Sequence, residues 1–216
     1  MPADIDLNPS LAANRAGIVM FDALNDYLHP SDPAKEANLR KWRIRENMAR
    51  LIKGARDNGL TVFYASGDHA PDGADIATRL TDTDMELQPW NGRDRLFNPG
   101  SRHGTEGAAI APEVAAAAGD VIIPKHRWSA FFQTHLDLQF RTRGLRTAII
   151  AGGSTDVGIV STAFAARDLD YGIVIVRDCC YSHRDGNNDF LMNRIFPRMA
   201  RVLTVDEVVA EMRSPS

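Results

Sequence analysis

Two hydrophobic regimes alternate along this chain. Short, almost continuous apolar runs fall at residues 16–22, 60–65, 120–125, 147–151, 171–178 and 202–204. Runs of that length, rich in Val, Ile and Phe and lacking strict alternation, predict strands buried on both faces. Between them the spacing becomes helical. Over residues 34–58, Met48, Leu51, Ile52 and Ala55 align on one side and Asn58-Gly59 provides a stop. Residues 134–143 predict a short helix ended by Gly144. Over 157–169, Val157, Val160, Ala163 and Phe164 share a face opposite Arg167 and Asp168. Residues 185–199 and 205–212 complete the set. Strand–helix alternation with uniformly apolar strands predicts an α/β fold, a three-layer α/β/α sandwich on a mostly parallel, Rossmann-like six-stranded sheet.

The pattern weakens over residues 66–118, where Gly, Asp, Pro and Arg dominate. Pro89-Trp90-Asn91-Gly92 and Asn98-Pro99-Gly100 read as turns. A stretch this long without a strand of its own predicts a covering loop rather than a linker. The 216 residues are therefore expected to form one domain, long enough to bury a substantial core.

Charge and composition narrow the partners. A formal charge of −3 and a pI near 6.1 leave no basic footprint for nucleic acid or anionic membrane. No apolar run approaches the roughly 20 residues that span a bilayer, and Met1 to Asp6 carries no signal-peptide pattern. Cys179 and Cys180, the only cysteines, are adjacent and do not suggest a disulfide framework. A cytoplasmic protein acting on a small molecule is the expectation.

Candidate chemistry collects at the C-terminal ends of the predicted strands: Asp22, Lys125 and the turn over 152–158. In an open parallel sheet these ends converge on one crevice, where a helix N-terminus also offers unpaired N–H groups. Taken singly, Asp22 reads equally well as a turn carboxylate and Lys125 as a solvated strand end. Ser154 and Thr155 are hydroxyl candidates that more simply cap the following helix. Phe21, Tyr27, Trp128 and Phe131, with Thr155 in the turn, are candidate pocket residues, although aromatic rings at such positions serve a core equally well.

Three motifs resemble the isochorismatase-like hydrolase superfamily, which includes nicotinamidases, ureidoacrylate amidohydrolases and carbamoylsarcosine hydrolases. Lys125-His126-Arg127-Trp128-Ser129-Ala130-Phe131 is similar to the Lys-x-Arg-Tyr-Ser-Ala-Phe segment of isochorismatases. His103-Gly104-Thr105-x-Gly107-x-x-Ile110-x-Pro112-Glu113 resembles the lead-in to it. The stretch from Gly152 to Ala166 resembles the turn that carries the nucleophilic cysteine in many members, with Gly158 at the cysteine position. The resemblance spans roughly residues 17–209. It implies Asp22 as acid/base and Lys125 as its electrostatic partner. It also implies the amides of Ser154 and Gly158 as anion holders, a cis peptide at Gly153-Ser154, and a homo-oligomer. Isochorismatases proper also carry glycine at that position and hydrolyse a vinyl ether, so the resemblance implies a hydrolase working without a cysteine. In that chemistry an acid protonates the enol ether and water attacks. Asp156 stands where isochorismatases place His, and an acid there would repel a dicarboxylate.

Other readings stay open. An amidohydrolase whose nucleophile has been replaced by Gly158, and a catalytically silent small-molecule binder, share the same motifs. The metal-ligand spacing of some nicotinamidases is not reproduced, since Asp68 and His69 are adjacent and the next histidine is His103. No metal or cofactor is therefore expected. A dinucleotide-binding reading fails because G-x-G-x-x-G is not present.

Overall fold

The computed structural model describes residues 10–75 and 101–213. The turns expected around Trp90 and Pro99, and with them residues 76–100 of the covering loop, lie outside the described residues. Six strands form one sheet: β1 (Ala16–Phe21), β2 (Val62–Gly67), β3 (Val121–Lys125), β4 (Thr147–Gly153), β5 (Gly172–Tyr181) and β6 (Arg201–Leu203). Their order is β3-β2-β1-β4-β5-β6, and every neighbouring pair is parallel. The chain builds outward from β1 to β3, returns to place β4 on the other side of β1, and builds outward again. The order therefore reverses between β1 and β4, and a crevice opens at their C-terminal ends.

Alternation along each strand divides the core in two. Ile18, Met20, Val62, Tyr64, Ile149 and Val174 point to one face, and Val19, Phe21, Phe63, Ala65, Ile150 and Ile175 to the other. The first face is covered by α3 (Ile44–Asp57) and α7 (Val205–Met212), the second by α4 (Leu136–Thr142) and α5 (Val160–Asp168). β3 lies at the sheet edge, which is why it tolerates Pro124 and leaves Ile122 exposed.

Five elements differ from the periodicity. The helix expected over 34–58 is two helices, α2 (Pro33–Lys41) and α3, separated by Trp42 and by Arg43 in a left-handed conformation (φ 52°). The pattern does not break there because α2 buries only Leu39 and so imposes little register. The helix expected over 185–199 is α6 (Asn187–Phe190), followed by one π-type turn over Leu191–Ile195 and one 3₁₀ turn over Phe196–Arg198. β4 runs on through Gly152 and Gly153, and β5 through both cysteines to Tyr181. α5 is preceded by a π-type turn over Thr155–Ile159, which rotates the face: Thr162, Ala163 and Ala166 are buried, whereas Phe164 is 51% exposed. Among the described residues no helix is long and apolar enough to cross a membrane.

Candidate active site

Asp22 follows the last residue of β1 in a left-handed backbone conformation (φ 44°), which Asp tolerates better than most side chains. Its N–H still donates to Ala65 O at 2.9 Å, so the residue is tied to β2. Both carboxylate oxygens accept. Gly67 N donates to Oδ1 at 2.8 Å and Lys125 Nζ to Oδ2 at 2.8 Å. Lys125 ends β3 in register with Gly67 of β2. Two strand crossings therefore bring together an acid and a lysine far apart in the chain. Asp22 is 8% and Lys125 6% exposed. Ions this buried persist only as a pair, because either alone would be an uncompensated charge. The ammonium also lies over the Phe21 ring, 4.2 Å from its centroid.

The turn after β4 forms the second wall. Gly152 has φ 129°, and a β-carbon there would lie 2.1 Å from Phe21 O; one on Gly153 would lie 2.3 Å from Tyr181 Cζ. Glycine is therefore required at both positions by close neighbours. The Gly153-Ser154 peptide is cis, where the resemblance places it. Ser154 O accepts from Val157, Gly158 and Ile159 N–H at 3.2, 3.0 and 3.2 Å. This corrects one expectation: the Gly158 amide is already engaged and is not a free anion donor. A second correction concerns capping, since neither Ser154 nor Thr155 caps a helix. Ser154 Oγ donates to Asp156, and Thr155 Oγ1 donates to Asn188 Oδ1 at 2.7 Å from a fully buried position.

Asp156 is held by donors on three sides, with Asn187 Nδ2 at 2.7 Å and Arg184 Nη1 at 3.4 Å in addition to Ser154. Burial opposes its ionisation, but the hydrogen bonds from Ser154 and Asn187 outweigh it and keep the carboxyl below its usual range. Its charge is answered locally, so it repels an anionic substrate less than the bare sequence implies. Arg184 also lines a cleft of about 810 Å³ between α2, the end of β5 and α6, with Trp42 and His183 among its walls.

The remaining candidates separate. Tyr27 Oη lies 2.9 Å from Ser101 Oγ, and Ser101 in turn covers Gly67 beside Asp22. Trp128 is half exposed, whereas Phe131 stacks on Tyr171 at 5.5 Å and meets Phe140 edge-on, deep in the second core layer. Cys179 and Cys180 are buried, and burial raises both thiols, Cys180 to about 12 and Cys179 well above its ordinary value. Neither offers a thiolate. His69 and His126 both face Asp75 Oδ2, at 3.5 and 3.3 Å, and His103 pairs with Asp68 at 2.8 Å. Among the described residues no group of three or more His, Cys, Asp or Glu is placed to hold a metal.

Two participants escaped the sequence, and a third, Phe21, was placed but misread. Ser101 sits in a segment without periodicity. Tyr181 reads as beyond the end of a strand, yet it is buried against Gly153 with its hydroxyl 3.5 Å from Tyr27 O, and burial and the Asp22 charge push its phenol upward. Phe21 reads as a pocket wall, yet its ring lies against Gly158. No local signal links residues so distant in the chain.

An open parallel sheet with an acid at the end of β1 and a lysine at the end of β3, meeting across β2 beside a glycine-rich turn, defines a hydrolase of the isochorismatase-like fold. The isochorismatase domain family matches residues 16–207, and the chain belongs to that family. It is 30% identical over 172 residues to the uncharacterized isochorismatase family protein YwoC of Bacillus subtilis, covering 79% of this chain and 84% of that one. It is 36% identical over 190 residues to the ureidoacrylate amidohydrolase RutB of Agrobacterium fabrum, covering 83% and 80%. An isochorismatase family protein from Burkholderia thailandensis superposes with a TM-score of 0.71 at 28% identity, covering 93% of this chain and 97% of that structure.

Proposed function

We propose that the protein hydrolyses a small polar molecule by Asp22-dependent acid/base chemistry, with water rather than a protein thiol as nucleophile and Gly158 at the position of the usual cysteine. The supporting observation is the buried Asp22–Lys125 pair beside a turn that carries glycine at 158 and whose two hydroxyls, Ser154 and Thr155, are bonded to Asp156 and Asn188. The Gly67 amide and the Lys125 ammonium fix the orientation of the Asp22 carboxylate, which takes a proton from water. The hydroxide so formed adds to the substrate, and the proton returns from Asp22 to the leaving group. On a vinyl ether the order reverses: the protonated carboxyl delivers its proton to the alkene carbon, water adds to the oxocarbenium-like centre and gives a proton back to Asp22, and the resulting hemiketal collapses to a carbonyl and the free alcohol. Lys125 and the Ser154 amide are the groups that would meet developing negative charge.

The similarity to a ureidoacrylate amidohydrolase supports a second substrate class, ureido or amide, at the same site. A panel containing an enol-pyruvyl ether, a ureidoacrylate and nicotinamide, assayed with the parent and Asp22→Asn, separates the readings. Turnover of one class, with kcat lower by about 10² or more in the variant, is expected. Turnover unaffected by Asp22→Asn removes the acid/base role, and no turnover across the panel favours a silent binding homologue.

A further inference from the structure

The ring of Phe21 occupies the space in which a side chain at position 158 would project. A β-carbon on Gly158 would lie 2.1 Å from Phe21 Cε1, 2.2 Å from Cζ and 2.9 Å from Cδ1. Real β-carbons do not approach other atoms so closely. The ring can give way only by repacking its neighbours. Its backbone is paired on both flanks, with Ala65 of β2 and Gly152 of β4. The ring itself is 2% exposed, and the Lys125 ammonium sits over its face at 4.2 Å. That ammonium is the one that donates to Asp22 Oδ2.

We propose that Phe21 is a specificity-determining residue: its ring holds the place of a nucleophilic side chain, imposes glycine at 158, and seats Lys125 on Asp22. Phe21 and Gly158 are thus a matched pair that commits the crevice to water chemistry. This rests on the reading of the Asp22–Lys125 crevice as the reaction site, and it adds that Gly158 is built in rather than simply lacking a side chain. Gly158 lies in the helical turn with no positive φ. Backbone propensity alone would therefore make Gly158→Ala stabilising. The ring reverses that sign.

The test compares Gly158→Ala, Gly158→Cys, Phe21→Val, and Phe21→Val combined with each change at 158. Overpacking of this kind should lower the Tm of Gly158→Ala by about 2–12 °C. Adding Phe21→Val should recover part of that loss, although Phe21→Val alone is itself destabilising. Site-resolved alkylation with iodoacetamide across pH supplies a readout that packing alone would not move. In Phe21→Val/Gly158→Cys the new thiol should react at least tenfold faster than Cys179 and Cys180. Its titration midpoint should fall below the free value of about 8.5, because the thiol takes space left by the ring under the Lys125 ammonium, which Asp22 still holds. Gly158→Ala at or above the parental Tm would overturn the proposal. So would strictly additive Tm changes, or a double variant whose new thiol titrates as a free one. If Gly158→Cys alone does not fold, the alanine pair still decides. None of these readouts requires turnover, so a failed substrate panel and a failed steric pair are told apart.

Discussion

Replacing Asp22 with asparagine leaves shape and left-handed backbone tolerance nearly unchanged and removes one charge from a buried pair. The carboxylate now accepts from two donors, Gly67 N and Lys125 Nζ, one on each oxygen. Asparagine offers a single carbonyl oxygen, so its NH₂ must face one of those donors, and the ammonium loses its counter-charge in either case. Breaking a buried pair by removing one partner costs about 3–5 kcal/mol. For a chain of this size that corresponds to a fall in Tm of about 6–20 °C. Lys125→Met in the Asp22→Asn background removes the orphaned cation and keeps an apolar stem above the Phe21 ring, so much of the lost stability should return. Thermal and urea unfolding of the parent, both single variants and the double variant give the coupling directly. Additivity within about 0.5 kcal/mol would refute the view that the two side chains form one electrostatic unit. Activity should stay low in all three variants, because the double variant regains stability without regaining the acid.

Glu36 is bonded by Arg45 and Arg40, whose hydrogen bonds and charge hold its carboxyl near 2 against an ordinary value of 4.5. A depressed carboxylate contributes stability above the unfolded value, so that contribution should vanish as pH falls from about 4.5 to about 2, and a Tm–pH series of Glu36→Gln should be flatter in that window. His69 is held neutral mainly by burial. Its unfolded form gains a proton first, so stability should decline as pH falls below about 6.5, and less so in His69→Gln. Cys179 and Cys180, both raised by burial, should resist iodoacetamide at pH 8 in the native protein and react fully in denaturant; prompt native labelling would contradict their placement.

Much of this architecture was readable from the chain because its causes are local. The strand at residues 147–151 and its neighbours announce themselves as apolar runs, since a strand covered on both faces has no solvent side to mark with polar residues. Parallel topology follows from strand–helix alternation, and it carries Asp22 and Lys125 to strand ends that face one crevice. What the chain could not disclose depends on contacts between distant segments. Arg43 breaks a helix without a glycine or proline to mark it. The π-type turn at Thr155 rotates α5 and leaves Phe164 outside. Ser154 spends its hydroxyl on Asp156, and its carbonyl captures the Gly158 amide. Above all, the sequence exposes a glycine where a nucleophile is usual and reads it as a missing group. Only tertiary packing shows that the space is already filled, because the ring that fills it comes from β1, three strands before β4 in the chain, and periodicity along one element carries no information about what another presses against it.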